Sequence, residues 1–303
     1  MSTPTRQATR LVVMPEHNGL RLDQLLAAAT SLSRRAARKV ISAGLVARNG
    51  QPTRVLGREV DWGDVVDVLM PSTELDVPPR PALPDLEFLH NDSWLLAVGK
   101  PAGLLSQPSS KSGAELALDQ LATLRLALDQ GARSYLRMVH RLDRLTSGVT
   151  LFARNPQAHS PLVHAWSDGA VERRYVAVIE GTPEIETTLI DRPIARDPGH
   201  DWRFRVADGG REARTEIRIA KHLDDGLAVV ECRLLTGRTH QVRVHLADWG
   251  HPVLGDRLYG SRRANLAPRP LLHASIIELP HPQDGSQLLI EAPVPEDMAS
   301  FLV

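Results

Sequence analysis

Short apolar runs alternate with polar turns along most of the chain, and the spacing of the apolar positions changes from one segment to the next. Leu22, Leu25 and Leu26 recur at helical spacing. Ser33 is placed to cap a second helix that runs to about Val40 and stops near Gly44. The run Leu45–Pro52 reads as a strand closing on an Asn-Gly turn, and Val65–Leu69 as a strand with apolar character on both faces. Farther on, strand-like runs occupy Trp94–Val98, Thr150–Ala153, Tyr175–Ile179, Glu216–Ile219 and Leu227–Leu235. Helical or turn-rich segments at Glu115–Gln130, Asn155–Ser167 and Thr239–Trp249 separate them. Strands and helices do not alternate strictly, which predicts an α+β fold with a mixed, mainly antiparallel sheet.

Residues 1–15 read as a tail leading into a strand. The segment 71–84 carries five prolines (Pro71, Pro78, Pro79, Pro81, Pro84), which remove backbone donors and fix φ, so it reads as an interdomain linker. It divides a small domain, 18–70, from a large one, 85–303. The length of 303 residues and the 42% hydrophobic content supply cores for both.

Formal net charge is zero, so whole-chain charge names no partner. The distribution is more informative. Only four of 36 basic residues are lysine. A GC-rich genome explains such a bias as readily as phosphate recognition, for which the planar guanidinium is suited. Cys232 is the only cysteine, so an internal disulfide and a Cys-rich zinc site are excluded. The opening residues carry no long apolar run, and no stretch approaches the ~18 apolar residues of a membrane span. A soluble, cytoplasmic chain is the expectation. Neither GxxxxGK[ST] nor GxGxxG occurs, which leaves nucleotide-cofactor folds unsupported.

Five stretches could carry chemistry. On the second helix, Arg34, Arg35, Arg38 and Lys39 fall on neighbouring positions of one face. The run His140–Gly148, HRLDRLTSG, places one carboxylate among basic residues. If it is extended, Arg141 and Asp143 point to one side and His140 and Leu142 to the other. A guanidinium close by favours an ionised carboxylate, fit for attack at a sugar carbon or for proton abstraction. A surface ion pair of Asp143 with Arg141 or Arg144 is the plain alternative. In LLTGRTHQVRVHLADWGHPVLGDRLYG, Thr239 is placed to cap a helix carrying His240 and Arg243 on one face and Gln241 and His245 on another, with Gly250 as its stop. The spacing of His240, His245 and His251 matches no usual zinc motif. Tyr175 opens the strand after Glu172-Arg173-Arg174, and Lys100 lies in the Gly99–Leu104 turn, within reach of a phosphate or there for the turn alone.

Together these stretches resemble the RluA family of RNA pseudouridine synthases, through HRLD followed by TSG, RRYVAVIEG, GRTHQVRVHL, GKPAGLL and Leu272-His273-Ala274. Residues 18–70 resemble the S-four RNA-binding module, through LRLDQLL, SRRAARKVISAGLVARNG and DVVDV. The resemblance implies isomerisation of selected uridines in structured RNA, with no cofactor and no metal, on a base swung out of its stack. It maps the catalytic aspartate onto Asp143, the active-site tyrosine onto Tyr175 and the aspartate's arginine partner onto Arg243. Arg141 maps to holding the flipped-out conformation, with His140, Arg144, His240, Gln241 and Lys100 as further substrate contacts. Arg34, Arg35, Arg38 and Lys39 would meet the RNA backbone. Large-subunit ribosomal RNA is the expected substrate, transfer RNA the runner-up, and a monomer the default. A chain that binds RNA or aids ribosome assembly without catalysis is the competing reading. Departures from the family pattern at Leu145, Gly99 and Arg173 bear on target choice rather than on the mapped trio.

Overall fold

The computed structural model describes residues 8–70, 75, 83–109 and 115–302. Contacts divide the chain into two units, Met1–Asp85 with Gly113–Leu136, and Leu86–Ser112 with Arg137–Val303. The Pro-rich stretch 71–84, apart from Leu75, Leu83 and Pro84, lies outside the described residues, as do residues 1–7 of the leading tail.

The first unit contains β1 (Ala8–Val12), α1 (Leu22–Ala29), α2 (Arg34–Ser42), β2 (Val46–Arg48), β3 (Gln51–Thr53), β4 (Val65–Leu69) and α3 (Leu118–Gln130). Its strands form an antiparallel sheet in the order β1-β4-β2-β3. The Ser33 hydroxyl accepts the Ala36 N–H at 3.3 Å and starts α2. Asn49 and Gly50 both adopt positive φ, 50° and 75°, as a two-residue hairpin turn requires. The two apolar faces of β4 have separate uses. Val66 and Val68 pack with Leu22, Leu25 and Leu26 of α1 and with Ala37 and Ile41 of α2. Val65, with Val12 of β1, packs instead on Leu124 and Ala127 of α3. The segment carrying α3 lies within 85–303 in sequence, yet its apolar face groups it with the first unit. Asn49 reinforces this, since its Oδ1 accepts the N–H groups of both Val65 and Arg133, at 2.9 and 3.0 Å.

The second unit is built on one large sheet. Its elements are β5 (Glu87–Asn91), β6 (Leu95–Lys100), β7 (Arg137–Met138), β8 (Ser147–Ala153), α4 (Pro156–Ser167), β9 (Glu172–Glu180), β10 (Thr187–Asp191), β11 (Ile194–Arg196), β12 (Phe204–Val206), β13 (Arg214–Leu223), β14 (Leu227–Leu234), α5 (Gln241–Asp248), β15 (Leu272–Pro280), β16 (Gln287–Glu291) and α6 (Glu296–Leu302). The sheet order is β10-β13-β14-β9-β15-β8-β6-β5, with β16 beside β15 and β7 beside β8. Among the described residues only β15 with β8 is a parallel pair, so the sheet is mixed and mainly antiparallel. Ala158 and Leu162 of α4 pack with Leu95, Val149, Leu151 and Ile277. Val242 and Leu246 of α5 pack with Ala177, Ile179, Ala228 and Val230.

The parallel contact places the start of β8. His273 faces Ser147 and Ala274 faces Gly148. Gly148 has φ 124°, and a Cβ there would lie 2.1 Å from the Ala274 carbonyl oxygen. Glycine is therefore required by close backbone approach as well as by φ. Among the described residues no helix is long and apolar enough to cross a membrane.

Candidate active site

Asp143 lies in the extended segment between β7 and β8. Its neighbours alternate as an extended chain must, with His140 and Leu142 buried, Arg141 exposed and Asp143 part-exposed. One hydroxyl pins this segment: Ser106 donates to the Leu142 carbonyl at 2.7 Å and accepts the Leu142 N–H at 3.1 Å. The chain then turns, with the Thr146 N–H reaching the Asp143 carbonyl at 3.1 Å.

The Gly99–Leu104 turn braces that loop from below. Gly103 N–H donates to the Arg144 carbonyl at 2.8 Å, and Arg144 Nε returns to the Gly103 carbonyl at 2.9 Å. Lys100 is buried, and its Nζ donates to the carbonyls of Pro101, Leu104 and Arg144 at 3.0, 2.8 and 3.1 Å. Burial lowers its pKa to about 7 against the opposing pull of Asp143. The sequence offered Lys100 as a phosphate contact. In the fold its ammonium group donates to three carbonyls of the loop.

The carboxylate's partner is Arg243, whose Nη1 lies 3.3 Å from Asp143 Oδ2. Arg144, the nearer residue in sequence, donates its Nε to Gly103. Arg243 is in turn held by Asp256, through Nε to Oδ2 at 2.7 Å and Nη2 to Oδ1 at 2.9 Å. That two-point fork fixes the guanidinium plane and leaves Nη1 aimed at Asp143. Both members of the pair are nearly sealed from solvent, with side chains 7% and 1% exposed. Burial opposes the charge on Arg243, but the hydrogen bonds and charge of Asp256, with Asp143 adding to them, raise its pKa above the usual arginine value.

His240 approaches the same carboxylate, Nε2 to Oδ2 at 3.8 Å, while its Nδ1 lies 2.8 Å from the Tyr259 hydroxyl. Tyr259 also accepts the Phe204 N–H at 3.0 Å and lies under the Arg243 guanidinium, 5.0 Å from the ring centre. Burial lowers the pKa of His240, with Asp143 opposing. The sequence placed the helix cap at Thr239. The observed cap is His240, in a left-handed conformation with φ 59°, and α5 begins at Gln241. The reason is Gln241, whose Oε1 accepts the Arg238 N–H at 3.0 Å and the Thr236 hydroxyl at 2.9 Å. Its amide donates to the Arg214 carbonyl and to Thr215 at 2.9 and 3.0 Å. Gln241 is 2% exposed and acts as part of the frame.

Asp143 opens onto a cleft of about 640 Å³ whose walls include Arg141, Trp166, Arg173, Tyr175 and Arg238. Tyr175 is part-exposed near the start of β9 and packs behind the cleft on the core over α5. Burial pushes its phenol up to about 12; Arg173 opposes this and Asp143 adds to it. It is therefore neutral across the physiological range.

His140 also lines the cleft, but its ring is occupied. It stacks on Trp166 with ring centres 4.0 Å apart, and Nε2 accepts the Leu151 N–H at 3.2 Å. Burial lowers its pKa to about 3, with Arg173 adding to the effect. Between pH 6.5 and about 3 the unfolded chain binds a proton that folded His140 refuses, so stability falls as pH drops through that window. Replacing His140 with Gln, which still offers an acceptor, is expected to flatten unfolding free energy against pH between about 6.5 and 4. An unchanged slope in denaturant titrations would remove His140 as a source of acid lability.

Three residues that the sequence reading did not single out complete the frame. Asp256 and Tyr259 lie inside the quoted stretch 234–260 without a recognisable spacing cue. Arg269 is buried and joins several segments. Its Nη1 donates to the carbonyls of Leu145, Pro270 and Leu272 at 3.2, 3.0 and 3.1 Å. Its Nε and Nη2 fork onto Asp297 of α6 at 2.6 and 2.8 Å. The Leu145 contact holds the far side of the Asp143 turn.

In the first unit, α2 presents its cations over one buried acid. Asp23 receives Arg21, Arg34 and Arg38 at 3.3, 3.2 and 2.8 Å, and these three side chains remain about half exposed. Arg34, Arg35, Arg38 and Lys39, with Ser42, line a shallow hollow.

Comparison with known proteins bears on these sites. The family profile described as RNA pseudouridylate synthase matches residues 95–248, and that of the S4 domain matches residues 20–66. A Bacillus subtilis protein named as an uncharacterized RNA pseudouridine synthase, YlyB, is 34% identical over 95% of this chain and 94% of its own length. Ribosomal large subunit pseudouridine synthase D of Zymomonas mobilis is 34% identical over 97% of this chain and 96% of its own. Its Nitrosomonas europaea counterpart is 35% identical over 81% and 72%. A solved human structure, RNA Pseudouridylate Synthase Domain Containing 1, shares the fold with a TM-score of 0.58 at 22% identity, covering 74% of this chain and 96% of that one. A carboxylate aimed into a cleft by a forked arginine thus sits in a chain that belongs, by profile and by near full-length relatives, to the RluA-type RNA pseudouridylate synthases, with an S-four domain at its N-terminal side.

Proposed function

We propose that this enzyme isomerises uridines of large-subunit ribosomal RNA, with Asp143 as the catalytic carboxylate acting on a nucleotide extruded into the cleft. The observation carrying the assignment is the Asp256–Arg243–Asp143 relay at the cleft wall. A base inside folded RNA hides its glycosidic bond, so the nucleotide must leave the stack at a cost of about a few kcal/mol. Asp143 then attacks the anomeric carbon or removes the neighbouring sugar proton. Uracil detaches, turns and rejoins through carbon 5, which frees Asp143 from the sugar carbon or returns the sugar proton it took; carbon 5 then loses its proton and nitrogen 1 gains one, so the product is an isomer of the substrate. Tyr175, neutral and beside the acid, offers its ring face to the uracil. Arg141 is exposed at the cleft edge, where it can occupy the place the base vacates. The choice of ribosomal RNA rests on the relatives named large subunit pseudouridine synthase D.

The test is pseudouridine mapping across total RNA from cells with the gene, without it, and without it but carrying Asp143→Asn. Loss of defined ribosomal sites, restored only by the wild-type chain, is the expected result. Loss confined to transfer RNA would overturn the substrate, and rescue by Asp143→Asn would overturn the mechanism.

The α2 face is assigned to RNA phosphates, with Asp23 orienting the guanidiniums of Arg34 and Arg38. Arg35 and Lys39 are exposed and lie outside the Asp23 cluster. The double variant Arg35→Gln with Lys39→Gln is expected to keep its unfolding midpoint. It should reduce the slope of log affinity against log salt by about 1.4–1.8 if each residue meets one phosphate. An unaltered slope would take this face out of the RNA interface.

A further inference from the structure

We propose that His90, Asp92 and His281 form a binding site for a divalent cation of the zinc class, outside the cleft. His90 lies near the end of β5, the edge strand, just after a bulge between Phe88 and His90 that breaks the strand's register. Asp92 follows β5, and His281 follows β15 at the turn into β16. Their ligand atoms all fall within 4.8 Å of one another. His90 Nε2 and His281 Nε2 both face Asp92 Oδ2, at 2.6 and 3.0 Å. None of the three lines the cleft that holds Asp143.

The surroundings suit a metal site. The other oxygen of Asp92, Oδ1, accepts the N–H groups of Trp94 and Leu95 at 2.6 and 2.8 Å. That leaves Oδ2 turned toward the two imidazoles. Arg154 Nη1 donates to the Asp92 carbonyl at 2.9 Å and holds the turn from behind. His281 Nδ1 accepts the Gln283 N–H at 3.3 Å, with Asp284 Oδ1 3.6 Å from the same nitrogen. The three side chains are 27%, 33% and 12% exposed, open enough for an ion to enter.

Ligand atoms about 2.0–2.1 Å from a tetrahedral zinc stand roughly 3.3 Å apart. The 2.6 and 3.0 Å separations would open by about 0.7 and 0.3 Å, and the two imidazole nitrogens, within 4.8 Å of each other, would settle near the same spacing through side-chain rotation. Two imidazoles and one carboxylate select zinc-like ions over magnesium or calcium, which prefer oxygen throughout. Water would complete the coordination. On binding, each Nε2 offers its lone pair and each ring carries its proton on Nδ1, so the Gln283 N–H, 3.3 Å from His281 Nδ1, turns away from that nitrogen. The cation would join the end of the edge strand to the β15–β16 turn.

The experiment uses tag-free full-length protein, treated with chelator, dialysed, and titrated with zinc(II) by calorimetry and with cobalt(II) by visible absorption. One equivalent is expected, with four-coordinate cobalt bands and a melting temperature several degrees higher at saturating zinc. His281→Gln and His90→Gln should each weaken binding by more than about 100-fold, beyond the usual effect of an outer partner. Both should melt cooperatively without metal, near the wild-type apo temperature. Absence of one-to-one binding, or equal binding by both variants, would overturn the site and leave a His-Asp-His hydrogen-bond cluster.

Discussion

Asp143→Asn is expected to lower the rate of isomerisation by at least about 10⁴-fold, while RNA affinity stays within a few-fold of wild type. The substitution keeps the volume and removes the charge. An amide neither attacks an anomeric carbon nor accepts a sugar proton at neutral pH. The residues that would bind RNA are unaffected, since the Asp143 segment is held by Ser106 on Leu142 and by Lys100 and Gly103 on Arg144. The 3.3 Å contact with Arg243 and the 3.8 Å approach of His240 are weakened. Single-turnover conversion measures the first quantity and filter binding the second. Turnover within tenfold of wild type would remove Asp143 from the chemistry. A matching collapse of affinity would assign it to binding instead.

Asp256→Asn is expected to be the most damaging single change away from the reacting atoms. It removes the buried, two-point counter-charge of the Arg243 guanidinium and leaves only the part-exposed Asp143 at 3.3 Å; removing one member of a buried pair costs about 3–5 kcal/mol. The asparagine amide also presents N–H groups to N–H groups. Two further bonds are at risk, because Asp256 Oδ1 accepts the N–H groups of Leu258 and Tyr259 at 3.2 and 3.3 Å. Denaturant unfolding should show the loss directly. Isomerisation should fall even where the variant is fully folded, because Arg243 is no longer aimed at Asp143. Replacing both partners, Arg243→Met with Asp256→Leu, separates the two effects. A well-packed apolar pair in a buried site is often neutral or stabilising, so stability should largely return while activity does not. If activity returned with stability, the relay would be a folding device only.

The local elements were legible because their signals are local. The Ser33 cap, the Asn49-Gly50 turn and the leucines of α1 each depend on residues within one helical turn or one hairpin. The chain's prominent motifs were also short: HRLD with TSG, and RTHQVR, each fit within ten residues. The two-faced character of β4 was visible, but not what each face would meet. Residue pattern alone places α3 among the later elements, whereas contact of Leu124 and Ala127 with Val12 and Val65 assigns it to the first unit. Central strand β15 escaped notice, since Leu272–Pro280 lacks the unbroken β-branched run of a buried strand.

Residue types and spacing in this sequence determined that a lone acid stands among arginines ahead of a strand, and that another arginine stands on a helix 100 positions later. They did not determine which arginine faces the acid. Arg141 and Arg144 are neighbours in sequence, but Arg141 is exposed to solvent and Arg144 donates its Nε to the Gly103 carbonyl. Tertiary structure chose Arg243, through the register that sets β15 against β8 and the buried fork from Asp256. It also buries Lys100, His140 and Gln241 and gives each a hydrogen bond to the backbone. The physical reason is that propensity and periodicity act over a few residues, whereas burial decides which donors find acceptors. A polar group buried in the fold takes the partner that the packing brings to it.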